Sequence, residues 1–184
     1  MSLIGEDSDE RATFFTNYLK NQRDFEGISL HQADLQGLNL QRINLTRADL
    51  SGANLKYTDL SGACLAQANL TNVDLTKAHL VGANLTEINL IGADLSGADL
   101  TGVDLTNADL RCANLNNVNL SKARLQEVHL DGADLSGAKL CGATIVNTDL
   151  SVADTQEICL EGSQQCELDE TLSAHSPHWV SWSG

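Results

Sequence analysis

Residues 91–105 read IGADLSGADLTGVDL: three passes of one five-letter phrase consisting of a small residue, an Asp, a Leu and two polar or glycine positions. The phrase is not local. Counting from Phe25, every fifth residue is Leu through Leu140, followed by Ile145, Leu150, Thr155 and Leu160, which makes about 28 consecutive copies. Two positions before each Leu stands a second apolar residue, usually Ala, and between the two is most often Asp or Asn.

A helix cannot use this spacing. Five residues turn an α-helix by about 500°, so successive leucines would lie about 140° apart and most would face water. In an extended segment, residues two apart share a side, so Ala93 and Leu95 point the same way, as do Ala98 and Leu100, and Val103 and Leu105. The odd fifth step must be a corner. A short strand and a corner, repeated, make a coil, and stacked coils bury the Leu and Ala positions while adjacent strands pair at about 4.8 Å. Gly62, Gly82, Gly102, Gly142 and Gly162 recur every twenty residues, interrupted by Lys122, as expected where one corner of a four-sided column needs a positive φ. About 28 phrases then build about seven coils, roughly 34 Å of all-β column.

The phrases GADLS, GANLT, NADLR and GAKLC resemble the A(D/N)LXX motif of the pentapeptide-repeat proteins over about residues 24–163. The resemblance implies a right-handed quadrilateral parallel β-helix, with the central Leu and the preceding Ala inside and the other positions outside. Departures are Thr58 and Thr148 at the Ala position and Ile145 and Thr155 at the Leu position; Thr155 is expected to loosen the column. Family members often form dimers, so the resemblance also implies a homodimer joined through a terminal region.

Both ends of such a column expose unpaired strand edges. Residues 1–23 form an N-terminal segment in which SDERATFFTNYLK, 8–20, predicts an amphipathic helix, with Ser8 or Asp9 as N-cap and with Ala12, Phe15 and Leu19 on one face, Phe14 and Tyr18 beside it, folded over the first coil as a cap. Residues 164–184 are a tail outside the repeat; Trp179 and Trp182 have three open fates there: packing on the last coil, contacting another subunit, or remaining mobile.

Composition narrows the function. The formal charge is −14, which disfavours a direct grip on nucleic acid or an anionic membrane. No apolar run reaches membrane-span length, and the MSLIGEDSDER start lacks a signal-peptide pattern, so a cytoplasmic protein is expected. Five cysteines, Cys64, Cys112, Cys141, Cys159 and Cys166, contain no CxxC pair and are read as reduced thiols; the sequence leaves open whether Cys141 and Cys159 meet. Cys159, Cys166, His175 and His178 lack the spacing of a zinc site. The Asp and Asn ladders, such as Asp34, Asn54, Asp74, Asp94, Asn114, Asp134 and Asp154, are spread over all sides, which suits turn architecture better than one catalytic or metal site. No phosphate loop or nucleophile motif is present, so neither a cofactor nor an enzymatic activity is expected.

Two functional readings follow. The first is a non-catalytic scaffold presenting patterned faces to an unidentified protein partner; a passive structural rod is indistinguishable from it by sequence. The second comes from the resemblance, because some pentapeptide-repeat proteins act on DNA gyrase or related topoisomerases as mimics of the duplex. Residues 24–163 carry about 18 acids and 8 bases. A duplex 34 Å long would carry about 20 negative charges, so the mimic is underpowered. Any specific role must lie in what interrupts the phrase: Arg111, Lys122, Arg124, the charged corners and the two ends.

Overall fold

The computed structural model describes residues 6–166 and 179–181. Its organising rule is a step of twenty. Asp34 bridges Asn54, Asn54 bridges Asp74, and the series runs through Asp94 and Asn114 to Asp134 and Asp154, all in parallel. Three further ladders, offset by five residues each, form the other sides of a four-sided column. Each bridge is reciprocal: the Leu95 N–H donates to the Asn114 carbonyl at 2.8 Å, and the Asn114 N–H donates to the Ala93 carbonyl at 2.8 Å.

Between bridges the chain turns. At most corners the N–H of the Ala-position residue closes a β-turn onto the preceding Leu carbonyl, as in Ala98 to Leu95 at 2.9 Å, with Val128 and Thr148 as exceptions. The third residue of the turn adopts a left-handed φ. This holds at every corner from Gly27 to Gly162 except Val152, for residues as different as Arg42, Tyr57, Lys77 and Glu127 as well as for glycine. Left-handed backbone costs a non-glycine residue about 1–2 kcal/mol, so it persists only where the coil geometry demands it. The column of Gly62, Gly82, Gly102, Gly142 and Gly162, with φ between 65° and 69°, is therefore one of four equivalent corners rather than a distinguishing edge.

The side chains obey the two-residue alternation. Leu95, Leu100, Leu105, Ala93, Ala98 and Val103 are all buried, within a single core running from Phe14 to Ile145. Burying each Leu contributes about 1.5–3 kcal/mol before chain entropy is subtracted. Thr58, at an Ala position, is buried as well, and its hydroxyl donates to the Leu35 carbonyl of the previous coil at 3.0 Å.

Thr148 does something different. Its Oγ1 accepts from the Val128 N–H at 3.1 Å and donates to the Leu125 carbonyl at 3.2 Å. The hydroxyl thereby stands in the gap of the 125–128 turn. With that corner opened, the bridge on this side lengthens into regular strands: β1 (Arg124–Gln126) pairs in parallel with β2 (Thr144–Val146), and β2 with β3 (Gln164–Cys166). Close by, β-branched Val152 rejects the left-handed corner, and Leu150–Val152 forms a 3-10 turn capped by the Asp149 carboxylate. The loosening expected at Thr155 thus begins earlier, at Thr144–Val152. Leu150, Ala153, Ile158 and Leu160 in the following coil are only partly buried.

Beyond β3 the direction of pairing changes. β4 (Trp179–Ser181) pairs antiparallel with β3, Cys166 opposite Trp179, and adds a fourth strand to that side. Of the three fates open to Trp179, its backbone takes a place in this sheet; Trp182 lies outside the described residues.

At the other end, helix α1 (Glu6–Leu19) packs on the first coil. Ser8 and Asp9 lie within it and are not its N-cap. The chain leaves it through a Schellman turn, with Gln22 N–H to the Asn17 carbonyl at 3.0 Å, Asn21 N–H to the Tyr18 carbonyl at 2.9 Å, and Asn21 at φ 65°. The face expected to meet the coil is corrected. Phe15 is 36 % and Leu19 82 % exposed, whereas Phe14 is fully buried between Phe25 and Tyr18. The reason is polar. The first coil has no coil beneath it, so its backbone needs partners that an Ala12, Phe15 and Leu19 stripe cannot provide. The face at 10, 11, 14 and 18 supplies them: Glu10 Oε2 accepts the Ser29 N–H at 2.7 Å, the Arg11 guanidinium donates to the His31 carbonyl, and the Tyr18 hydroxyl donates to the Asn39 carbonyl at 2.7 Å. In later coils the equivalent groups bond to backbone, as the Asp49 N–H does to the Ile28 carbonyl.

Candidate functional site

The outer surface is where recognition must occur, and most of its polar atoms are already engaged. The residue before each Leu folds its Oδ1 back onto the N–H two residues on, as in Asp94 to Ser96 at 2.9 Å and Asn114 to Asn116 at 3.1 Å. At several positions where that residue is Ser or Thr, its hydroxyl donates to the same oxygen, as Thr101 does to Asp99 at 2.6 Å. These Asx turns are the local reason that Asp and Asn fill the slot. At four positions where Asn follows Asp one coil later, its amide also donates to the carboxylate beneath, as in Asn44 to Asp24 at 2.8 Å and Asn54 to Asp34 at 3.0 Å.

Five of the ladder carboxylates, Asp59, Asp74, Asp109, Asp134 and Asp149, are correspondingly stabilised as anions. The Arg111 guanidinium holds Asp109 below the usual carboxylate range, with opposing desolvation. The Ser136 hydroxyl lowers Asp134, and the Ser151 hydroxyl lowers Asp149. Desolvation pushes Asp74 up, but hydrogen bonds from Lys56 and Thr76 outweigh it; Asp59 behaves likewise through Gln41 and Ser61. No carboxylate in this set is poised as a general acid near neutral pH.

The side chains that interrupt the phrase fall into two groups. Arg111 lies back on Asp109, Nη2 to Oδ2 at 2.7 Å, and with His129 and Asp131 lines an open depression of about 360 Å³. Arg124 reaches the Thr106 hydroxyl at 3.3 Å and the Gln126 amide oxygen. Lys122 and the other corner residues instead project over the corner one coil above. Arg42 lies over Gly62, Lys77 over Gly97 and Lys122 over Gly142, where a Cβ on the glycine would stand 3.5, 3.5 and 3.8 Å from the side chain's Cγ. Tyr57, at the same corner as Lys77, is 53 % exposed, and Val81 is 41 % exposed. Lys56, next to Tyr57, pairs with Asp74 at 2.8 Å.

Among the described residues, no three His, Cys, Asp or Glu side chains converge on a point, and no helix is long and apolar enough to cross a membrane. His175 and His178 lie outside those residues. Cys141 and Cys159 do meet: their sulfurs stand 2.9 Å apart. They do not form a CxxC pair. A ladder residue always faces the post-Leu residue 18 positions earlier, as Asp74 faces Lys56 and Cys64 faces Thr46, and that spacing is the signal.

The sequence matches the family model described as pentapeptide repeats in 8 copies, at residues 28–67, 53–90, 68–107, 88–126 and 119–154. No curated protein sequence matches. Among solved structures, HetL, a pentapeptide repeat protein involved in heterocyst differentiation regulation from the cyanobacterium Nostoc sp. strain PCC 7120, is 26 % identical with a TM-score of 0.59, over 83 % of this chain and 93 % of its own. Rfr23, a pentapeptide repeat protein from the cyanobacterium Cyanothece 51142, is 31 % identical with a TM-score of 0.63, over 69 % of this chain and 97 % of its own. QnrB1, a plasmid-mediated fluoroquinolone resistance protein, is 18 % identical with a TM-score of 0.55, over 77 % and 91 %, and shares the fold.

Proposed function

The chain belongs to the pentapeptide-repeat family, and from that premise we propose a non-catalytic scaffold that binds a protein partner through its corner side chains. The supporting observation is the division of labour on the surface. Ladder residues spend their polar atoms on Asx turns and inter-coil bonds, whereas the left-handed corners hold Tyr57 and Lys77 outward at coil spacing. A partner reads what is not already bonded. In this reading residues 24–163 are the column of about seven coils, α1 within 1–23 caps its first coil, and 164–184 is the non-repeat end through which a homodimer would join.

The alternative, a duplex mimic directed at DNA gyrase, needs a dense and continuous negative stripe. The Asp–Asn alternation and the Lys56, Arg111 and Lys139 cations thin that stripe on three sides. The experiment is affinity capture from native extract with the wild-type chain and with a Tyr57→Ser, Lys77→Ser variant, beside a gyrase supercoiling assay. A reproducible partner lost from the variant, with supercoiling unaffected, supports the scaffold. Inhibition of supercoiling at micromolar protein, or capture indifferent to the corner, rejects it.

A further inference from the structure

Cys159 occupies a ladder slot, the position that elsewhere holds the Asp or Asn whose oxygen accepts the N–H two residues on. Its sulfur stands in that place, where the Glu161 N–H favours the ionised form. Cys141 occupies the post-Leu slot 18 residues earlier, where Lys56 or Thr46 face their ladder partners, and its sulfur stands 2.9 Å from that of Cys159. Both thiols are free and partly exposed. A disulfide needs about 2.05 Å between sulfurs, so bonding requires a closure of about 0.9 Å between side chains on adjacent coils. We propose that Cys141 and Cys159 form a redox-sensitive dithiol that closes reversibly to a disulfide and staples the last two coils of the column together.

The slot chemistry assigns the roles. Hydrogen bonds from the Cys141 thiol and from the Glu161 N–H hold Cys159 below the ordinary thiol value, with Lys139 acting in the same direction; burial and the Glu161 charge oppose them. Cys141 is raised, first by its hydrogen bond to Cys159 and then by burial. Of the two, Cys159 is the thiol that loses its proton more readily, which makes it the attacking sulfur and Cys141 the resolving thiol. With a peroxide as oxidant, the Cys159 thiolate attacks one peroxide oxygen and the O–O bond breaks; the departing hydroxide takes a proton to become water, leaving a sulfenic acid. The Cys141 sulfur then attacks the Cys159 sulfur, the S–O bond breaks, and the leaving hydroxide departs as water with the Cys141 proton. Two thiols lose two protons and two electrons, and hydrogen peroxide becomes two waters.

The position gives the reaction a consequence. Leu150, Ala153, Ile158 and Leu160 are only partly buried, and the corner at Leu150–Val152 has lost the regular turn. This is the coil most able to fray, and a Cys141–Cys159 bond ties it to the one below. The mechanism stands apart from partner binding, and its test does not need the partner.

Purified full-length protein is treated with hydrogen peroxide, alkylated without reduction, digested and analysed by mass spectrometry, with hydrogen exchange measured in parallel. The expected result is a Cys141–Cys159 cross-linked peptide lighter by two hydrogens than the sum of its parts, reversed by dithiothreitol, with Cys64 and Cys112 still alkylated. Amides in 150–163 should exchange at least several-fold more slowly when oxidised. The Cys141→Ser variant should instead accumulate sulfenic acid on Cys159, trapped by dimedone. A link from either residue to Cys166, intermolecular disulfides, or alkylation of Cys141 and Cys159 at the rate of Cys112 with or without peroxide would overturn the proposal.

Discussion

Phe14 lies against Phe25 with ring centroids 4.7 Å apart and planes tilted by 57°, and the contact joins the N-terminal helix to the first coil of the column. Phe14 is fully buried, while its neighbour Phe15 is 36 % exposed. Phe14→Ala is expected to cost about 3–5 kcal/mol in the stability of the N-terminal coils, whereas Phe15→Ala costs about 0.5 kcal/mol or less. Hydrogen exchange resolved along the chain checks this, because a solenoid does not unfold as one unit. Equal losses of protection in the two variants would mean that the apolar stripe, and not the Phe14 face, seats the helix.

The two buried threonines give a matched pair. The Thr58 hydroxyl adds a bond to a Leu35 carbonyl that the Leu38 N–H already serves at 3.2 Å. Thr148 is the acceptor for the buried Val128 N–H. Thr58→Val should therefore cost about 0.5–1.5 kcal/mol and Thr148→Val about 1–3 kcal/mol, because only the second strands a buried donor. Thermal melts and local exchange at 125–130 measure the difference; a reversed order would contradict the bridging role.

Corner glycines are not equivalent. A Cβ at Gly92 would stand 2.5 Å from Asn72 Oδ1, while one at Gly102 would meet nothing within 4 Å. Gly102→Ala should cost about 1 kcal/mol for its left-handed φ alone, and Gly92→Ala only slightly more, because the exposed Asn72 amide can swing aside, an excess that Asn72→Gly removes. A double-mutant cycle reads the coupling, and additivity of the two changes would show that the Asn72 contact is irrelevant.

Acid should destabilise the column in a defined window. Asp59, Asp74, Asp109, Asp134 and Asp149 are held below their ordinary values in the folded chain. Groups depressed by folding contribute stability above the unfolded value, and that contribution is lost as pH falls through the folded one. The melting temperature is thus expected to be indifferent to these carboxylates from neutral pH down to about pH 5 and to fall below about pH 4. A melting temperature that rises on acidification below pH 4 would show that ladder repulsion outweighs the Asx and Lys56 or Arg111 contacts.

The column was legible in the sequence because its cause is periodic. Leu95 and Ala93 repeat every five residues, and the alternation of an extended chain leaves one arrangement that buries both. The ends were less legible. The Phe15 and Leu19 stripe satisfied a hydrophobic criterion, but the first coil also presents the Ser29 N–H and the His31 and Asn39 carbonyls, and those demands favour the mixed face of Glu10, Arg11, Phe14 and Tyr18. The five glycines mark one edge of the column, but all the corners share their backbone conformation, with Val152 the exception among the described residues. The approach of Cys141 to Cys159 is not visible in short cysteine spacings, because proximity here is set by the coil length less two residues.

The scaffold reading rests on the claim that corners recognise and ladders build. The direct measurement is the affinity of the captured partner for three chains: wild type, Tyr57→Ser with Lys77→Ser, and Asp94→Asn with Asp134→Asn. The Asn substitutions keep the Asx acceptor and remove only charge. The account predicts at least a tenfold loss for the corner variant and a change within about twofold for the ladder variant, about 1.4 kcal/mol against less than 0.5 kcal/mol. Full affinity in the corner variant with a tenfold loss in the ladder variant would contradict it and place recognition in the negative stripe.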